Sequence, residues 1–359
     1  MINLGVIGYG YWGPNVVRNA SAHASLRVVS VCDQNPEALR RAKQAYPAIE
    51  VTSDPANILR SPNIDAVAIV TPVWTHYELA KAALLNGKHV FVEKPFTSTS
   101  SQAEDLIALA DAKQRVIMVD HTFLFTGAVQ KIRELVDAGT LGDLYYYDSL
   151  RVNLGLFQHD VNVIWDLAPH DLSIMEHVIN DEPEAVLATG ERHINGHEDV
   201  AFITVYFPRR VIGHVNVNWL SPVKVRTTLI GGQKKMLVWN DLEPDEKIKV
   251  YDRGVIVNAP NGVQNLLVSY RSGDMWAPKI EQTEALRKEF SCFYDAIVDG
   301  TPIANDGVAG WRVVRMIEAA SRSMSMKGEA VLLDRTGTLA KKKETVVYRE
   351  IIEIGGVAA

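Results

Sequence analysis

Cysteine is nearly absent: Cys32 and Cys292 are the only two in 359 residues. The first lies in an apolar run that reads as a buried strand. Two such thiols make neither a disulfide framework nor a thiolate metal site, and they fit a reducing compartment. Long apolar runs are missing too, with no stretch near the roughly 18 residues of a membrane span. Met1 to Gly10 runs straight into a strand and a turn, without the charged leader and apolar stretch of a signal peptide. The expected location is the cytoplasm, away from any membrane. Positive charge is not in excess either: 37 Lys and Arg stand against 43 Asp and Glu, a net charge of −6. A basic footprint for nucleic acid is therefore lacking. Gly 24 and Pro 15 are too dilute for low complexity, and 47% apolar with 22% charged residues is ordinary for a globular protein. At roughly 150 residues per domain the length predicts two domains, each large enough for its own core.

What is present divides into two textures. Over the first 120 residues, short β-branched runs at Leu4–Ile7, Val28–Cys32, Ala66–Val70, His89–Val92 and Val116–Val119 alternate with helical patterns. The helical patterns fall at Gly13–Ala22, Pro36–Tyr46, His76–Asn86 and Ser101–Ala112. Such alternation predicts an α/β unit with a doubly wound parallel sheet. From about residue 143, longer alternating runs follow at Leu144–Leu150, Glu184–Glu191, Val200–Phe207, Val211–Trp219, Val223–Gly231, Lys234–Trp239 and Lys247–Tyr251. They predict an α+β domain with a large, open, mainly antiparallel sheet, with Pro208-Arg209-Arg210 as a hairpin turn. Helices are expected at Trp165–Ile179, Gln282–Val298 and Gly307–Met324, the last covering the sheet or packing on the first domain. Lys341-Lys342-Lys343 reads as a solvated turn before a final strand, Val346–Ile354. The expected domains are 1–120 and 121–359.

Gly8-Tyr9-Gly10-Tyr11-Trp12-Gly13 fits G-x-G-x-x-G, a weak pattern alone because glycines gather in many turns. Here it directly follows an apolar strand, opens a helical pattern, and is followed 20 residues after Gly13 by Asp33 at the end of the next strand. Together these make a Rossmann dinucleotide-binding fingerprint. The first glycine permits the tight turn, the second lets a pyrophosphate approach the backbone, and the third allows close helix packing. The helix amino terminus favours the diphosphate charge. Gly8, Gly10, Tyr11, Trp12 and Gly13 are thus candidate cofactor contacts. Asp33 would accept hydrogen bonds from ribose hydroxyls and repel a 2′-phosphate, which selects NAD over NADP; Arg40 and Arg41 soften that preference without reversing it.

Glu93 and Lys94, in Phe91-Val92-Glu93-Lys94-Pro95-Phe96, stand at the carboxyl end of a strand, where open parallel sheets present their ligand crevice. Pro95 forces an extended or turning path and can be cis, a rigid device for aiming Lys94. On these six residues alone, a solvated turn lysine reads equally well. In Ile164-Trp165-Asp166-Leu167-Ala168-Pro169-His170-Asp171, Asp166 and His170 at i, i+4 share one helix face. A carboxylate beside an imidazole can orient it and raise its pKa; the plain alternative is a helix-start salt bridge. Pro169 is awkward there unless it lies in the first turn. Two residues without a third ligand at suitable spacing do not make a metal site.

In this order the fingerprint, Thr71-Pro72 with Thr75-His76, Glu93-Lys94-Pro95 and Asp166-x-x-x-His170 resemble the Gfo/Idh/MocA family of sugar and inositol dehydrogenases. The resemblance spans nearly the whole chain and includes Glu289–Gly300, Thr301-Pro302 and the helix from Gly307. It implies an amino-terminal Rossmann domain with NAD(P), Thr71, Pro72, His76, Glu93 and Lys94 joining the cofactor contacts. It implies a carboxy-terminal domain whose open sheet carries the substrate site and an oligomer interface, as a homodimer or homotetramer. Lys94 matches the family's catalytic lysine, hydrogen-bonding the substrate oxygen. His170 matches its general base, taking the hydroxyl proton, and Asp166 the carboxylate that positions substrate or imidazole as hydride passes to the nicotinamide. Two departures stand out. Asp120-His121-Thr122-Phe123-Leu124-Phe125 replaces a Gly-Phe-Asn-x-Arg-like segment, removing an Asn and an Arg that help position ligand elsewhere. Asp166-Leu167-Ala168-Pro169-His170 replaces Asp-x-Gly-x-His, keeping both polar groups on a changed backbone.

For the substrate, Arg151, Asn153, Gln158, His159, Asp160 and Asn162 form a polar stretch, broken by Leu154, Gly155, Leu156 and Phe157, that can supply a polyol's directional hydrogen bonds or simply be a solvated loop. Arg151 and Asn153 join Lys94, Asp166 and His170 as candidate substrate contacts. The segment from Asp160 to Asp171 is similar to members that oxidise the C3 hydroxyl of UDP-N-acetylhexosamines. The expected activity is NAD-dependent oxidation of a secondary ring hydroxyl of a nucleotide-activated sugar. Alternatives are a free-sugar or inositol dehydrogenase, a ketosugar reductase, or a non-catalytic sensor of NAD(H) or sugar. Retention of Lys94, Asp166 and His170 together argues against the sensor. Trp219, Lys224 and Arg226 read either as diphosphate contacts or as packing and solvent-exposed charge.

Overall fold

The computed structural model describes residues 1–333 except 156, 159, 195 and 259–266, with the backbone alone at 256–258 and 267–269. The expected turn at Lys341-Lys342-Lys343 and strand at Val346–Ile354 lie outside the described residues. The amino-terminal sheet contains β1 (Ile2–Ile7), β2 (Leu26–Cys32), β3 (Glu50–Thr52), β4 (Ala66–Ile69), β5 (His89–Glu93) and β6 (Ile117–Asp120). All pairs are parallel, in the order β3-β2-β1-β4-β5-β6. The crossovers carry α1 (Gly13–Ser21), α2 (Pro36–Ala45), α3 (Ala56–Leu59), α4 (His76–Leu85) and α5 (Ser100–Lys113). Local signals set the helix starts: Asn35 caps α2 ahead of Pro36, and Thr99 caps α5. Every residue of β4 is buried, as a strand covered by helices on both faces requires. Chain order reverses between β1 and β4, and a crevice opens there at the strand carboxyl ends.

After α6 (Gly127–Asp137) come β7 (Leu144–Leu154), α7 (Val163–Ile179), β8 (Ala185–Glu191), β9 (Val200–Tyr206), β10 (Ile212–Asn218), β11 (Leu220–Gly232), β12 (Met236–Asn240), β13 (Ile248–Asn258) and β14 (Leu267–Trp276). The described chain closes with α8 (Ala285–Asp299), α9 (Gly307–Ser325) and β15 (Val331–Leu332). The second sheet runs β14-β13-β12-β11-β7-β10-β9-β8-β15, antiparallel throughout except for the central parallel pair β7 and β10. One face packs on α7 and α9, with Ile203, Val205, Val215 and Val217 against Leu172, Met175, Val313 and Ile317. The other face carries Phe202, Tyr206, Ile212 and Leu229, each exposed by about two fifths.

The carboxy-terminal segment returns to the first sheet. Phe290 on α8 stacks on Phe91 of β5 at 4.8 Å between centroids, and Asn305 O accepts from Val119 N of β6 at 2.9 Å. α9 takes both roles expected for the last helix: Val313 and Ile317 belong to the core under the second sheet, Trp311 and Val314 to that of the first. Its Gly310 lies so near β6 that a Cβ there would come within 2.6 Å of Val119 Cγ2. Among the described residues no helix is long and apolar enough to cross a membrane.

Candidate active site

The fingerprint turn is shaped by steric exclusion on two sides and open space on the third. Gly8 has φ of +102°, and a Cβ there would sit 2.3 Å from Val70 O. A Cβ on Gly13 would sit 2.5 Å from Gly8 O, whereas one on Gly10 would meet nothing within 4 Å. The two outer glycines are thus required by the fold, and Gly10 faces the space a dinucleotide needs. Asp33 accepts from Tyr9 N at 2.6 Å and Asn35 N at 2.8 Å, which fixes its carboxylate beside the turn with lone pairs to spare. Arg40 forms a two-pronged, solvent-exposed pair with Glu37, at 2.9 and 2.6 Å. Tyr11 is 91% exposed, while Trp12 Nε1 donates to Asp120 Oδ2 at 2.8 Å.

His76 is buried and bridges two loops, its ring nitrogens 2.9 Å from Pro95 O and 2.8 Å from Thr71 O. It braces the Thr71-Pro72 loop against the turn after β5; burial, above all, pushes its pKa down. The Lys94–Pro95 bond is cis.

Lys94 reaches across from the first sheet to α7, donating to Asp166 O at 2.9 Å with Asp166 Oδ1 at 3.7 Å. The helix begins earlier than its pattern suggests, at Val163 after the Asn162 cap. Pro169 is therefore interior, not in the first turn. Having no N–H, it leaves the Trp165 carbonyl without its helical donor and loosens the ladder there. Lys94 enters beside that gap. Asp166 and His170 share the α7 face, yet no direct bond joins them. Trp219 Nε1 donates to Asp166 Oδ2 at 3.2 Å, and His170 Nδ1 is buried without a hydrogen-bond partner. The expectation that Asp166 raises the imidazole pKa is overturned: burial, then the charges of Lys94, Arg151, His121 and Arg226, hold it well below 6.5. At neutral pH the ring is an unprotonated acceptor.

Arg151 is committed to the framework, its guanidinium paired with the Asp171 carboxylate, the two side chains only 6% and 4% exposed. Asn162 caps α7 and donates to Glu198 Oε2 at 2.8 Å. Asn153 is half-buried beside Gly155, Gln158 is half-buried, Asp160 is exposed, and His159 lies outside the described residues. Trp219 is buried against Asp166, so it is a packing residue with a hydrogen-bonding edge.

Residues 2–121 match the oxidoreductase family with the NAD-binding Rossmann fold, and residues 129–238 match the GFO/IDH/MocA C-terminal domain. The uncharacterized oxidoreductase YdgJ of Escherichia coli (strain K12) is 32% identical over 260 residues, 68% of this chain and 73% of that protein. The chain belongs to the GFO/IDH/MocA oxidoreductase family. It is also similar to the UDP-N-acetylglucosamine 3-dehydrogenase of Acidithiobacillus ferrooxidans, at 29% identity over 91% of this chain and 97% of that enzyme. A solved structure of that enzyme superposes with a TM-score of 0.76 and 25% identity, covering 90% of this chain and 98% of its own. The inositol 2-dehydrogenase of Rhizobium meliloti (strain 1021) is 24% identical over 91% of this chain and 98% of its own.

Within this GFO/IDH/MocA enzyme NAD is the cofactor, and the open side of Gly10 with the fixed Asp33 carboxylate fits it. Several polar residues around the site escaped sequence reasoning. Asp120, opposite Glu93 in the β5–β6 register, accepts from Trp12 Nε1 and the Thr122 hydroxyl. Glu289 reaches the same region from α8, accepting from Asn305 Nδ2 at 2.7 Å. Burial, then the charge of Asp120, pushes Glu93 and Glu289 well above the usual carboxylate range. His121 is buried with both ring nitrogens unpartnered, its pKa lowered to about 3 by burial first and Lys94 second. Asp120 and His121 carried a signal in the sequence as the departure from the family segment, and Glu289 as the start of a family-like stretch, but no role followed from either. Among the described residues no group of three or more His, Cys, Asp or Glu is arranged to hold a metal.

Proposed function

We propose that this chain is an NAD-dependent dehydrogenase that oxidises a secondary ring hydroxyl, at C3, of a nucleotide-activated sugar such as a UDP-N-acetylhexosamine to the ketone. The observation that carries the reading is the meeting of Lys94 with the Asp166–His170 face of α7, in a chain similar over nearly its full length to a UDP-N-acetylglucosamine 3-dehydrogenase. NAD, when bound, supplies the hydride acceptor. Gly8, Gly10 and Gly13 hold the backbone open for the diphosphate, and Asp33 takes ribose hydroxyls. Lys94 donates a hydrogen bond to the carbinol oxygen and eases its developing charge. His170, unprotonated at neutral pH, takes the hydroxyl proton, while Asp166 holds Lys94 in place. The division of labour follows 1–120 for the cofactor and 121–359 for substrate and assembly. The exposed apolar face of Phe202, Tyr206, Ile212 and Leu229 supports a homodimer or homotetramer. A second reading, a free-sugar or inositol dehydrogenase or ketosugar reductase, is favoured by the inositol 2-dehydrogenase relative.

The test is absorbance at the reduced-nicotinamide band with a panel of UDP-sugars, free hexoses and inositols. Reduction by a UDP-N-acetylhexosamine, lost in Lys94→Ala while NAD affinity persists, is the expected result. Reduction by inositols or free hexoses alone replaces the first reading by the second, and full turnover by Lys94→Ala removes the lysine from the chemistry. Light scattering gives the assembly: a monomer refutes the sheet-face interface.

A further inference from the structure

The row of side chains leading out of the catalytic cleft ends on a cation that the reaction does not use. β7 and β11 are antiparallel neighbours, with Tyr147 opposite Ile230, Ser149 opposite Thr228 and Arg151 opposite Arg226. Alternate residues of paired strands share one face, here the one that α7 covers. The first two pairs are buried under it. Both arginines lie over the Phe123 ring, with Cζ 4.6 Å from its centroid for Arg151 and 5.7 Å for Arg226. The same ring meets His170 edge-on at 4.9 Å. Arg226 therefore stands one aromatic ring away from the imidazole.

Their charges are used differently. Arg151 is spent on buried Asp171, whereas Arg226 leaves 33% of its side chain exposed. Its carboxylate neighbour, Asp241, lies 3.4 Å away and is shared with Lys247 at 3.7 Å. That contact is longer than the roughly 2.7–2.9 Å of a good charge-assisted hydrogen bond. A guanidinium on an aromatic shelf with a loose, shared partner is suited to a planar pair of anionic oxygens.

We propose that Arg226 determines specificity by receiving an anionic group of the substrate while the ring hydroxyl lies between Lys94 and His170. The shared chemistry is a pair of negatively charged oxygens, from the diphosphate of a sugar nucleotide or the carboxylate of a uronate. The inference rests on the reading of Lys94 and His170 as the reaction centre and narrows its substrates to charged ones.

The experiment titrates UDP, D-glucuronate and neutral N-acetylglucosamine into the full chain with NAD, by calorimetry, for the parent, Arg226→Ala and Arg226→Lys. One anion binds the parent, Arg226→Ala weakens it at least about tenfold, and Arg226→Lys recovers part of the loss, with NAD affinity and melting temperature unchanged. Loss of UDP binding identifies the phosphate source; loss of glucuronate binding identifies the carboxylate. The proposal is overturned if neither anion binds the parent, if Arg226→Ala binds as the parent does, or if melting temperature and NAD affinity fall with it. Arg226-dependent anion binding without NAD reduction by any UDP-sugar leaves the site standing and removes the proposed reaction. Reduction by a UDP-sugar, unchanged in Arg226→Ala, does the reverse.

Discussion

Replacing Arg151 by methionine separates a framework role from a substrate contact. Both side chains of the Arg151–Asp171 pair are at least nine-tenths buried, and Asp171 adjoins His170 on α7. Methionine retains the apolar stem and its flexible chain fills part of the space the guanidinium leaves. The dominant loss is the stranded Asp171 carboxylate, which for a buried pair costs about 3–5 kcal/mol. At roughly 2–4 °C per kcal/mol for a domain of this size, the midpoint falls by roughly 6–20 °C. The double variant Arg151→Met/Asp171→Leu removes both charges and recovers most of that loss. Thermal melts of the parent, both singles and the double, without substrate, supply the cycle. A substrate contact would instead raise KM and leave the melt unchanged. An Arg151→Met midpoint within 2 °C of the parent, or a double no more stable than the singles, refutes the reasoning.

Gly8→Ala destabilises the fold, because its Cβ collides with Val70 O at φ of +102°, whereas Gly10→Val melts like the parent and loses NAD affinity; equal melts for the two variants contradict this. Asp33→Ala weakens NAD binding about tenfold and narrows the preference over NADP, since the carboxylate that takes ribose hydroxyls and repels a 2′-phosphate is gone; unchanged selectivity in fluorescence titrations speaks against it. The His170 pKa is lowered, so the neutral base persists as pH falls through 6.5 and is lost only when protonated at lower pH. The acid limb of kcat/KM accordingly lies below 6.5, and a limb centred at or above that value removes His170 as the base.

The parallel sheet was legible because each of its main strands is a short apolar run between a turn signal and a helical pattern. β3 was not, since Glu50-Val51-Thr52 has no apolar run and is a strand only because β2 offers it a pairing edge. The antiparallel texture was legible as alternation, but the parallel meeting of β7 and β10 was not, because alternation carries no strand direction. At the site, spacing placed Asp166 and His170 on one face correctly and misjudged their coupling. Whether a carboxylate meets an imidazole i, i+4 away depends on competitors from elsewhere, here Lys94 and Trp219. Arg151 reads from the sequence as part of a polar stretch after the Leu144–Leu150 run and as a substrate contact; that the strand continues to Leu154 and that its partner is Asp171, 20 residues on, are tertiary facts.

The proposed site joins Lys94, at the end of a strand of the first sheet, to a helix packed on the second, and a reacting geometry of this kind tolerates displacements well under an ångström. Lys94 and α7 hold each other, but a single lysine bridge cannot fix two domains. The remaining constraint comes from late in the chain. Phe290 stacks on Phe91 two residues before Glu93, Asn305 pairs with Val119 just before Asp120, and α9 seals against both sheets with glycine at its closest approach. Asp120 ties that joint to Trp12 in the cofactor turn. The carboxy-terminal helices are thus the brace that holds the cofactor turn and α7 in one frame, although they bear neither Lys94, Asp166 nor His170.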